Sequence, residues 1–503
     1  MGEYISIPQT KTNIMNRQKL SVWQEARQMI NLTVPTVIVQ IGSTLPPLLI
    51  ASCVGKQLGS IYLDAFTLAS LTGNLCTLAL ISGLNSASDT LSPQAFGAGN
   101  YNELGLLAIR GFTGTMLFVI PINLVLILFM DKILLAFGQD PELSYLASKW
   151  YQIYVIALPF YALYTTVWKF LSAQEIMVPL VVVLLLTLFM LPGLLNILLP
   201  LYGFAGSALA ILMYQLCQVI LLLGYLWWHK PHQEGTWPGL GAWRLALKWK
   251  PFKAYLSLGM GGILSASEWI YWEVLGLLVG TLGQTSLAVH TVPTQVIAMA
   301  FMLPLGIGIA LSIRLGQTLP RSVKRAKQLV AWTFGLTTCL VTIVSASLHV
   351  FRASIFQIFT SEQEILDGCD RIWPQVVIYS WTLSIFALCM GIASGLGMQW
   401  TLGAITFLCL WVLGLPGLWF FAIHRRGGIE TAWNWIYPPY VAMDAILVLK
   451  FYFADWDAIS HSIRIREGMV PEPLHRVHGK LYGAIGESTA MMRDEEEKKL
   501  DDV

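Results

Sequence analysis

Residues 178–199 read VPLVVVLLLTLFMLPGLLNILL, an apolar run without a single charged side chain. The hydrocarbon core of a bilayer is about 30 Å thick, and about 20 apolar residues cross it as an α-helix. The apolar residues are continuous rather than alternating, which favours a helix over a strand of a membrane barrel. This stretch therefore predicts a membrane-spanning helix.

The rest of the chain repeats the same pattern. Of its 503 residues, 55% are hydrophobic and 12% are charged, whereas an ordinary soluble chain carries about 25% charged residues. The predicted fold class is an all-α polytopic membrane protein with twelve transmembrane helices. We predict these spans near residues 29–51, 63–83, 104–129, 144–166, 178–199 and 206–228, and then near 254–281, 286–313, 326–351, 372–393, 402–423 and 432–454.

Basic residues indicate how the chain is oriented in the membrane. With the N-terminus inside, Lys and Arg concentrate in the inner loops, as the positive-inside rule requires. The predicted organisation is a cytoplasmic N-terminal tail (1–28), a six-helix bundle (29–228), a cytoplasmic loop (229–253), a second six-helix bundle (254–454) and a cytoplasmic C-terminal tail (455–503). The C-terminal tail is polar, and we expect it to be largely disordered or regulatory.

The two halves resemble each other. After the second predicted span, residues 83–97 read GLNSASDTLSPQAFG, and after the eighth, residues 306–317 read GIGIALSIRLGQ. We interpret both stretches as inner loops, each with small residues, a polar cluster and a glycine at similar offsets. Weak internal symmetry of two bundles is typical of transporters that bind their substrate at the repeat interface. The sequence therefore predicts two pseudo-symmetric six-helix bundles.

Several short stretches resemble the signature of the multidrug and toxic compound extrusion (MATE) family. They follow one another in family order through about residues 29–456, and the main ones are 88–98 (SDTLSPQAFGA), 268–273 (EWIYWE) and 304–306 (PLG) with Arg314. The resemblance implies two bundles around a V-shaped cleft. It also implies antiport, in which protons or sodium ions enter while organic cations, drugs or metabolites leave.

The chain departs from that family at three positions. Gln295 occupies the place of a glutamate of animal members, Leu383 lies where they carry another, and Gln40 lies near an aspartate of some prokaryotic members. Coupling must therefore rest on fewer carboxylates. The paired glutamates and the twelve spans resemble the eukaryotic, fungal or plant-like branch, which implies proton coupling, and sodium coupling remains the alternative.

Glu268 and Glu273 are the main candidates for proton coupling and substrate binding. An ionised carboxylate inside a span is costly, so a functional role is the default interpretation. Positions five apart lie about 140° apart around a helix, so we expect one to face the cleft and the other the interior of the C-terminal bundle. Burial favours the neutral form, which lets such a group exchange protons near neutral pH. The alternative is a neutral glutamate that hydrogen-bonds two helices.

Trp269, Tyr271 and Trp272 lie between these glutamates and are candidates for binding the substrate. Aromatic faces attract cations, and a desolvated contact contributes about 2 kcal/mol. A carboxylate beside aromatic rings suits a flat or quaternary organic cation. The alternative is ordinary packing or contact with lipid.

Other polar residues fall within spans. Asp444 is either a second proton site or a buried partner of a polar group on a neighbouring helix. Gln295 is a site candidate by its family position, and Gln40, Asn74 and Asn196 are expected to hydrogen-bond between helices. The cysteines and histidines show no metal-ligand spacing, so we expect no metal and no cofactor beyond an ion gradient.

Other classes of function fit less well. A net charge of +2 gives no reason to expect nucleic acid, and the scattered histidines do not form the membrane-face cluster of an acyl- or glycosyltransferase. We therefore predict that the chain is not an enzyme. A lipid or oligosaccharide-lipid flippase of the same superfamily is the main alternative, but it would need a basic central cavity. We expect a monomer that exports small organic cations across the plasma or vacuolar membrane.

Overall fold

The computed structural model describes residues 22–470, and within them twelve helices are long and apolar enough to cross a membrane. The N-terminal half contains α1 (Val22–Leu58), α2 (Ser60–Ala98), α3 (Tyr101–Ala136), α4 (Pro141–Ser172), α5 (Val178–Tyr202) and α6 (Phe204–His229). The C-terminal half contains α7 (Trp249–Gly280), α8 (Gln284–Thr318), α9 (Val323–Val350), α10 (Gln363–Leu396), α11 (Gln399–His424) and α12 (Gly428–Phe453). The predicted all-α fold with twelve spans is confirmed.

The predicted inner loops at 83–97 and 306–317 are wrong, because both stretches are helical. The first belongs to α2, which ends at Gly99 in the left-handed conformation (φ 80°), and the second belongs to α8. Their polar side chains looked like loop residues in the sequence. In the structure they are mostly buried, and several bond to the other half of the chain.

The predicted disorder of the C-terminal tail is wrong for its first part. Residues Trp456–Arg466 form a further helix, α13, whose N-terminus is capped by the Asp455 side chain accepting from the backbone N of Ala458 at 2.9 Å. The remainder of that tail, from residue 471, lies outside the described residues. So do residues 1–21 of the predicted N-terminal tail, whereas residues 22–28 belong to α1.

Contacts between the halves follow the expected symmetry. If α1 and α2 correspond to α7 and α8, the packing of α1 on α8 is equivalent to the packing of α7 on α2, and the contact of α2 with α8 lies on the symmetry axis. All three pairs pack together. The two six-helix bundles are therefore related by a pseudo-twofold, as predicted.

Glycines allow the two halves to approach closely. A Cβ atom added at Gly262 of α7 would lie 2.3 Å from the carbonyl oxygen of Gly83 in α2, and one added at Gly83 would lie 2.5 Å from the Cα of Ile263. Likewise, a Cβ at Gly97 would lie 2.4 Å from the carbonyl oxygen of Gln317. These contacts lie in the halves of the helices that the charge pattern places on the inner side of the membrane.

Three stretches of the spans are π-helical: Asn74–Leu78 in α2, and Phe407–Gly414 and Trp419–His424 in α11. A π-helical turn widens the backbone and occurs frequently at functional sites. The indole N–H of Trp435 in α12 donates to the carbonyl oxygen of Gly414 in α11 at 3.1 Å. This bond ties the widened turn to α12.

Replacing Gly262 by valine should separate the two halves. Overpacking a close contact costs about 1–3 kcal/mol, and here the clash is with backbone atoms that cannot rotate away. We expect Gly262→Val to lower the Tm of the purified protein and to reduce transport. Gly276→Val is the matched control, since this glycine lies on the same helix with no atom within 4 Å of an added Cβ. Equal Tm values for the two variants would contradict the proposed contact.

Candidate functional site

Glu268 is buried inside the C-terminal bundle. Its side chain is only 3% exposed, and its Oε1 atom accepts hydrogen bonds from the Trp272 indole N–H and from the Tyr440 hydroxyl, both at 3.0 Å. The Trp272 N–H also reaches the Tyr440 oxygen at 3.0 Å, so the three groups form a closed triangle. No basic side chain of the described residues forms an ion pair with this carboxylate.

Aromatic rings enclose this triangle. The ring of Tyr379 lies 4.9 Å from that of Trp272 and 5.1 Å from that of Tyr440, measured between centroids. Tyr271 is fully buried beside them, and the hydroxyls of Tyr271 and Tyr379 find no hydrogen-bond partner among residues 22–470. The cluster therefore combines one carboxylate with neutral donors and ring faces.

Asp444 lies one helical turn beyond Tyr440 on α12. Residues four apart on a helix share a face, so Asp444 continues the polar face that begins at Glu268 and Tyr440. It is 8% exposed, and its Oδ1 atom has no hydrogen-bond partner among the described residues. Among the described residues, that oxygen therefore does not bond to a polar group on a neighbouring helix, which was the alternative role predicted for Asp444.

Glu273 and Gln295 are exposed, and helical periodicity turns both side chains towards the N-terminal half. Gly262 contacts α2 of the N-terminal half. Glu273 follows Gly262 by eleven residues, and at about 100° per residue its side chain lies within about 20° of the direction of Gly262 around the helix. Gln295 precedes Gly306 by the same interval, and Gly306 contacts Val37 of α1. Both side chains lie about 16 Å along their helices from these contacts, towards the outer side. They face the outer part of the cleft between the halves.

The three candidate aromatic residues differ in what they can contact. Trp269 is 48% exposed and packs its ring against Phe301 of α8. Trp272 is partly exposed, and its N–H is bound to Glu268. Tyr271 is fully buried, so its ring is not open to a molecule in the cleft. Trp269 alone among the three lies beside the cleft-facing residues.

The amides expected to hydrogen-bond between helices do not do so within the described residues. Asn74, which opens the π-helical stretch of α2, and Asn196 are exposed, and neither side chain forms a hydrogen bond there. Gln40 is partly buried, and its side chain forms no hydrogen bond among the described residues, although Ser43 donates to its backbone carbonyl. These three residues contribute no interhelical bond in this conformation.

A polar cluster that the sequence did not indicate lies in the N-terminal half. The Asn123 Oδ1 atom accepts from the Tyr151 hydroxyl at 2.7 Å and from the Thr77 hydroxyl at 3.3 Å. Thr77 and Tyr151 look like ordinary packing residues in the sequence. The sequence therefore carries no signal for this cluster, because the π-helical stretch at residues 74–78 is visible only in the structure.

Ionic contacts close the inner side of the cleft. Arg314 of α8 donates to the Glu175 carboxylate at 2.6 Å and to the Glu25 carboxylate at 3.1 Å, and both glutamates belong to the N-terminal half. Gln317, one turn further, donates to the backbone carbonyl of Ala173 at 2.9 Å. We call these residues the inner gate.

The polar residues of the inner end of α2 extend the inner gate towards α10 and α11. Thr90 donates to the carbonyl of Ser394, and Gln94 donates to that of Gly395 at 2.8 Å. Gln399 donates to the Thr90 hydroxyl. These bonds brace the inner end of α2 against the C-terminal half.

Helix α13 also connects the inner ends of the two halves. Its Ser460 hydroxyl donates to the carbonyl of Leu319 at 2.8 Å, and Arg464 donates to that of Pro320 at 2.7 Å, both just after the end of α8. Arg466 donates to the Gln94 side chain at 2.7 Å, and Glu467 accepts from Asn100 at 3.0 Å. The helix thus binds both halves.

Removing the Tyr440 hydroxyl should alter the response of transport to pH. Tyr440→Phe keeps the packing but deletes one of the two donors that stabilise the charged form of Glu268. We expect the pH of half-maximal transport to change, while Tyr452→Phe, which deletes an exposed hydroxyl at the inner end of the same helix, should leave it unchanged. Initial rates measured against pH would check this, and a parental profile for Tyr440→Phe would contradict it.

Arg314→Gln should loosen the inner gate. Breaking a partly buried ion pair from one side leaves charge uncompensated, so the inner side should open more often. In a background in which the seven native cysteines are replaced, Ser312→Cys, which is buried behind the gate, should then react faster with a maleimide added to the inner side. Arg325→Gln is the control, since its side chain forms no ion pair among the described residues. Equal labelling rates in the two backgrounds would count against this assignment.

Comparisons with known proteins agree with this architecture. The family model MatE matches residues 35–198 and 262–420, one segment in each half. Multidrug and toxin extrusion protein 1 of Xenopus tropicalis is 32% identical over 89% of this chain and 77% of its own length. An uncharacterized transporter of Schizosaccharomyces pombe, C323.07c, is 26% identical over 88% of this chain and 83% of its own length.

Among solved structures, the eukaryotic MATE transporter AtDTX14 superposes with a TM-score of 0.81 at 22% identity, covering 88% of this chain and 99% of that one. A mutant of the Vibrio cholerae MATE transporter VcmN gives a TM-score of 0.73 at 17% identity, covering 88% and 98%. At these identities, the two structures show the fold of this chain and nothing more. The family model and the Xenopus relative go further, and the resemblance found in the sequence is confirmed: the chain belongs to the MATE family of transporters.

Proposed function

We propose that this integral, multi-pass membrane protein is a secondary active antiporter that exports organic cations, drugs or metabolites in exchange for protons. Its relatives named multidrug and toxin extrusion proteins support this interpretation. The observation that carries it is Glu268, a carboxylate held between two neutral donors inside the membrane-spanning part of the C-terminal bundle.

A carboxylate in this position favours binding of a cation. An uncompensated buried charge is strongly destabilising, and Glu268 has no basic ion-pair partner among the described residues. The group must therefore be neutralised by a proton when it is closed off from water, whereas the exposed Glu273 five residues further can hold a cation. Alternation between these two partners is the chemistry that an antiporter requires.

The cleft-facing residues suit the exported molecule. Glu273 supplies charge and the nearby Trp269 an exposed ring face, and a cation over an aromatic ring gains about 0.5–2 kcal/mol. Gln295 adds an amide that can donate or accept. A flat or quaternary organic cation with an apolar body fits this combination.

The hydrogen bonds of Glu268 favour protons over sodium ions. The indole N–H of Trp272 is a donor only, so it cannot coordinate a metal ion while it points at the carboxylate. A hard cation needs several oxygen ligands, as Ca²⁺ and Mg²⁺ sites illustrate. A proton on Glu268 needs no such ligands. The two donors, Trp272 and Tyr440, stabilise the carboxylate after the proton has left.

The same proposal covers the remaining properties of the protein. It requires no enzymatic step and no cofactor beyond an ion gradient, and a single chain contains both halves of the cleft, so we expect a monomer. Its partners would be small organic cations and the lipid bilayer, with the plasma or vacuolar membrane as its location. A flippase of the same superfamily is not favoured by the names of the relatives.

Uptake into proteoliposomes tests the proposal. With an imposed proton gradient, the parent protein should move a fluorescent organic cation, and a sodium gradient of equal size should not drive it. Glu273→Gln should abolish coupled transport, because the amide keeps the shape but cannot titrate. Glu268→Gln should behave similarly.

Glu430→Gln is the matched control. Glu430 lies at the start of α12 and forms only an exposed pair with Arg371 at 3.5 Å, so its loss should leave transport unchanged. Full activity and an unchanged pH profile in a well-folded Glu273→Gln would remove that residue from the mechanism. Transport without any ion gradient would refute antiport.

A further inference from the structure

A cavity of about 580 Å³ opens at the inner end of the molecule, away from the proposed transport site. Its volume lies within the range of small-molecule pockets, about 300–1,000 Å³. Its walls come from α2 and α3 of the N-terminal half, from the start of α7, and from α11 and the end of α13. It therefore lies where both halves and the C-terminal helix meet.

Two lysines give this cavity an excess of positive charge. Arg110 is buried and is neutralised by Glu103, and Arg466 pairs with Glu467 at 2.8 Å. Lys248 and Lys250 also line the cavity, but they are exposed and have no ion-pair partner among residues 22–470. The free charge is therefore at the mouth, where it would attract an anionic group.

One wall of the cavity is apolar. Leu106, Leu107 and Leu258 line it, and each is less than 5% exposed. Leu91 and Trp400 complete this wall. Such a surface suits a hydrocarbon chain, since burial of apolar area away from water stabilises binding.

The mouth lies at the level of the membrane surface. Lys248 and Lys250 flank Trp249, the first residue of the span α7, and Trp249 and Trp243 are 69% and 37% exposed. Tryptophan is enriched at the headgroup level of membranes, and basic residues next to a span on the cytoplasmic side attract anionic lipids.

We propose that this cavity binds an anionic phospholipid of the inner leaflet. The phosphate lies against Lys248 and Lys250, and an acyl chain enters along the leucine wall. Because the walls belong to both halves and to α13, the bound lipid holds the inner ends of the two halves together. It thereby favours the conformation in which the inner gate is closed.

Native mass spectrometry and thermal unfolding test this proposal in the full-length protein. In nanodiscs of phosphatidylcholine with phosphatidylserine, we expect one retained phosphatidylserine per chain and a higher Tm than in phosphatidylcholine alone. The double variant Lys248→Gln/Lys250→Gln should lose both. The variant Lys230→Gln/Lys324→Gln makes the same charge change on exposed inner-side lysines outside the cavity and should keep both.

A second variant tests the apolar wall without changing charge. Ser257 lines the cavity and is only partly buried, so Ser257→Trp should occupy the space of the acyl chain and abolish retention of the lipid. Retention that survives both cavity variants, or that is lost equally in the control, would overturn the proposal.

Two other occupants give distinct results. If inorganic phosphate raised the Tm as much as phosphatidylserine does, the site would bind a soluble anion instead of a lipid.

The acidic end of this chain, which includes residues 494–497 (DEEE), is the other competitor. If the tail filled the cavity, ending the chain after Val470 would lower the Tm in phosphatidylcholine alone as much as the double lysine variant does, and the lipid proposal would fall. None of these measurements depends on transport, so they can fail while antiport stands.

Discussion

Backbone contact between α2 and α7 sets the geometry of the whole molecule. At Gly83 and Gly262 the two helices lie closer than any side chain would allow, which brings the polar residues of α2 within hydrogen-bonding distance of α10 and α11. In a membrane, packing of small residues and interhelical hydrogen bonds drive association, because lipid offers little hydrophobic driving force. The inner side is closed by these short-range contacts, and the outer halves of α7 and α8 are left to present Glu273 and Gln295 to the cleft.

The two glutamates of α7 occupy chemically different surroundings. Glu268 is enclosed with neutral donors and aromatic rings, whereas Glu273 is open to the cleft. A molecule in the cleft can reach Glu273 directly, but a change at Glu268 must pass through Trp272, Tyr440 or the backbone of α7. Asp444, one turn along α12, extends this buried polar face further towards the inner side. Separation of a contact residue from a buried titrating residue would let one helix respond to both cargo and proton.

The sequence was sufficient to predict the spans, because an apolar run that is long enough to cross a bilayer as a helix rarely forms anything else. It also placed Glu268 and Glu273 on different faces, since helical periodicity alone requires this. It failed at residues 83–97 and 306–317, where small and polar residues looked like loops. Their role depends on partners far away in the chain, such as Ser394 for Thr90, and local pattern carries no information about such partners. Tyr440 and Tyr379 were missed for the same reason, because an aromatic residue within a span looks like packing until a neighbouring carboxylate is seen.

The π-helical stretch in α2 has a consequence for alignment of the two halves. A π-helical turn holds more residues than an α-helical turn, so Asn74–Leu78 shifts the numbering of every later residue of α2 relative to its spatial counterpart. The equivalent helix, α8, is continuous α-helix from Gln284 to Thr318. Residue offsets counted from the start of each half therefore lose register before they reach the inner gate. The structural correspondence between the two halves is thus better found by superposing their helices than by aligning their sequences.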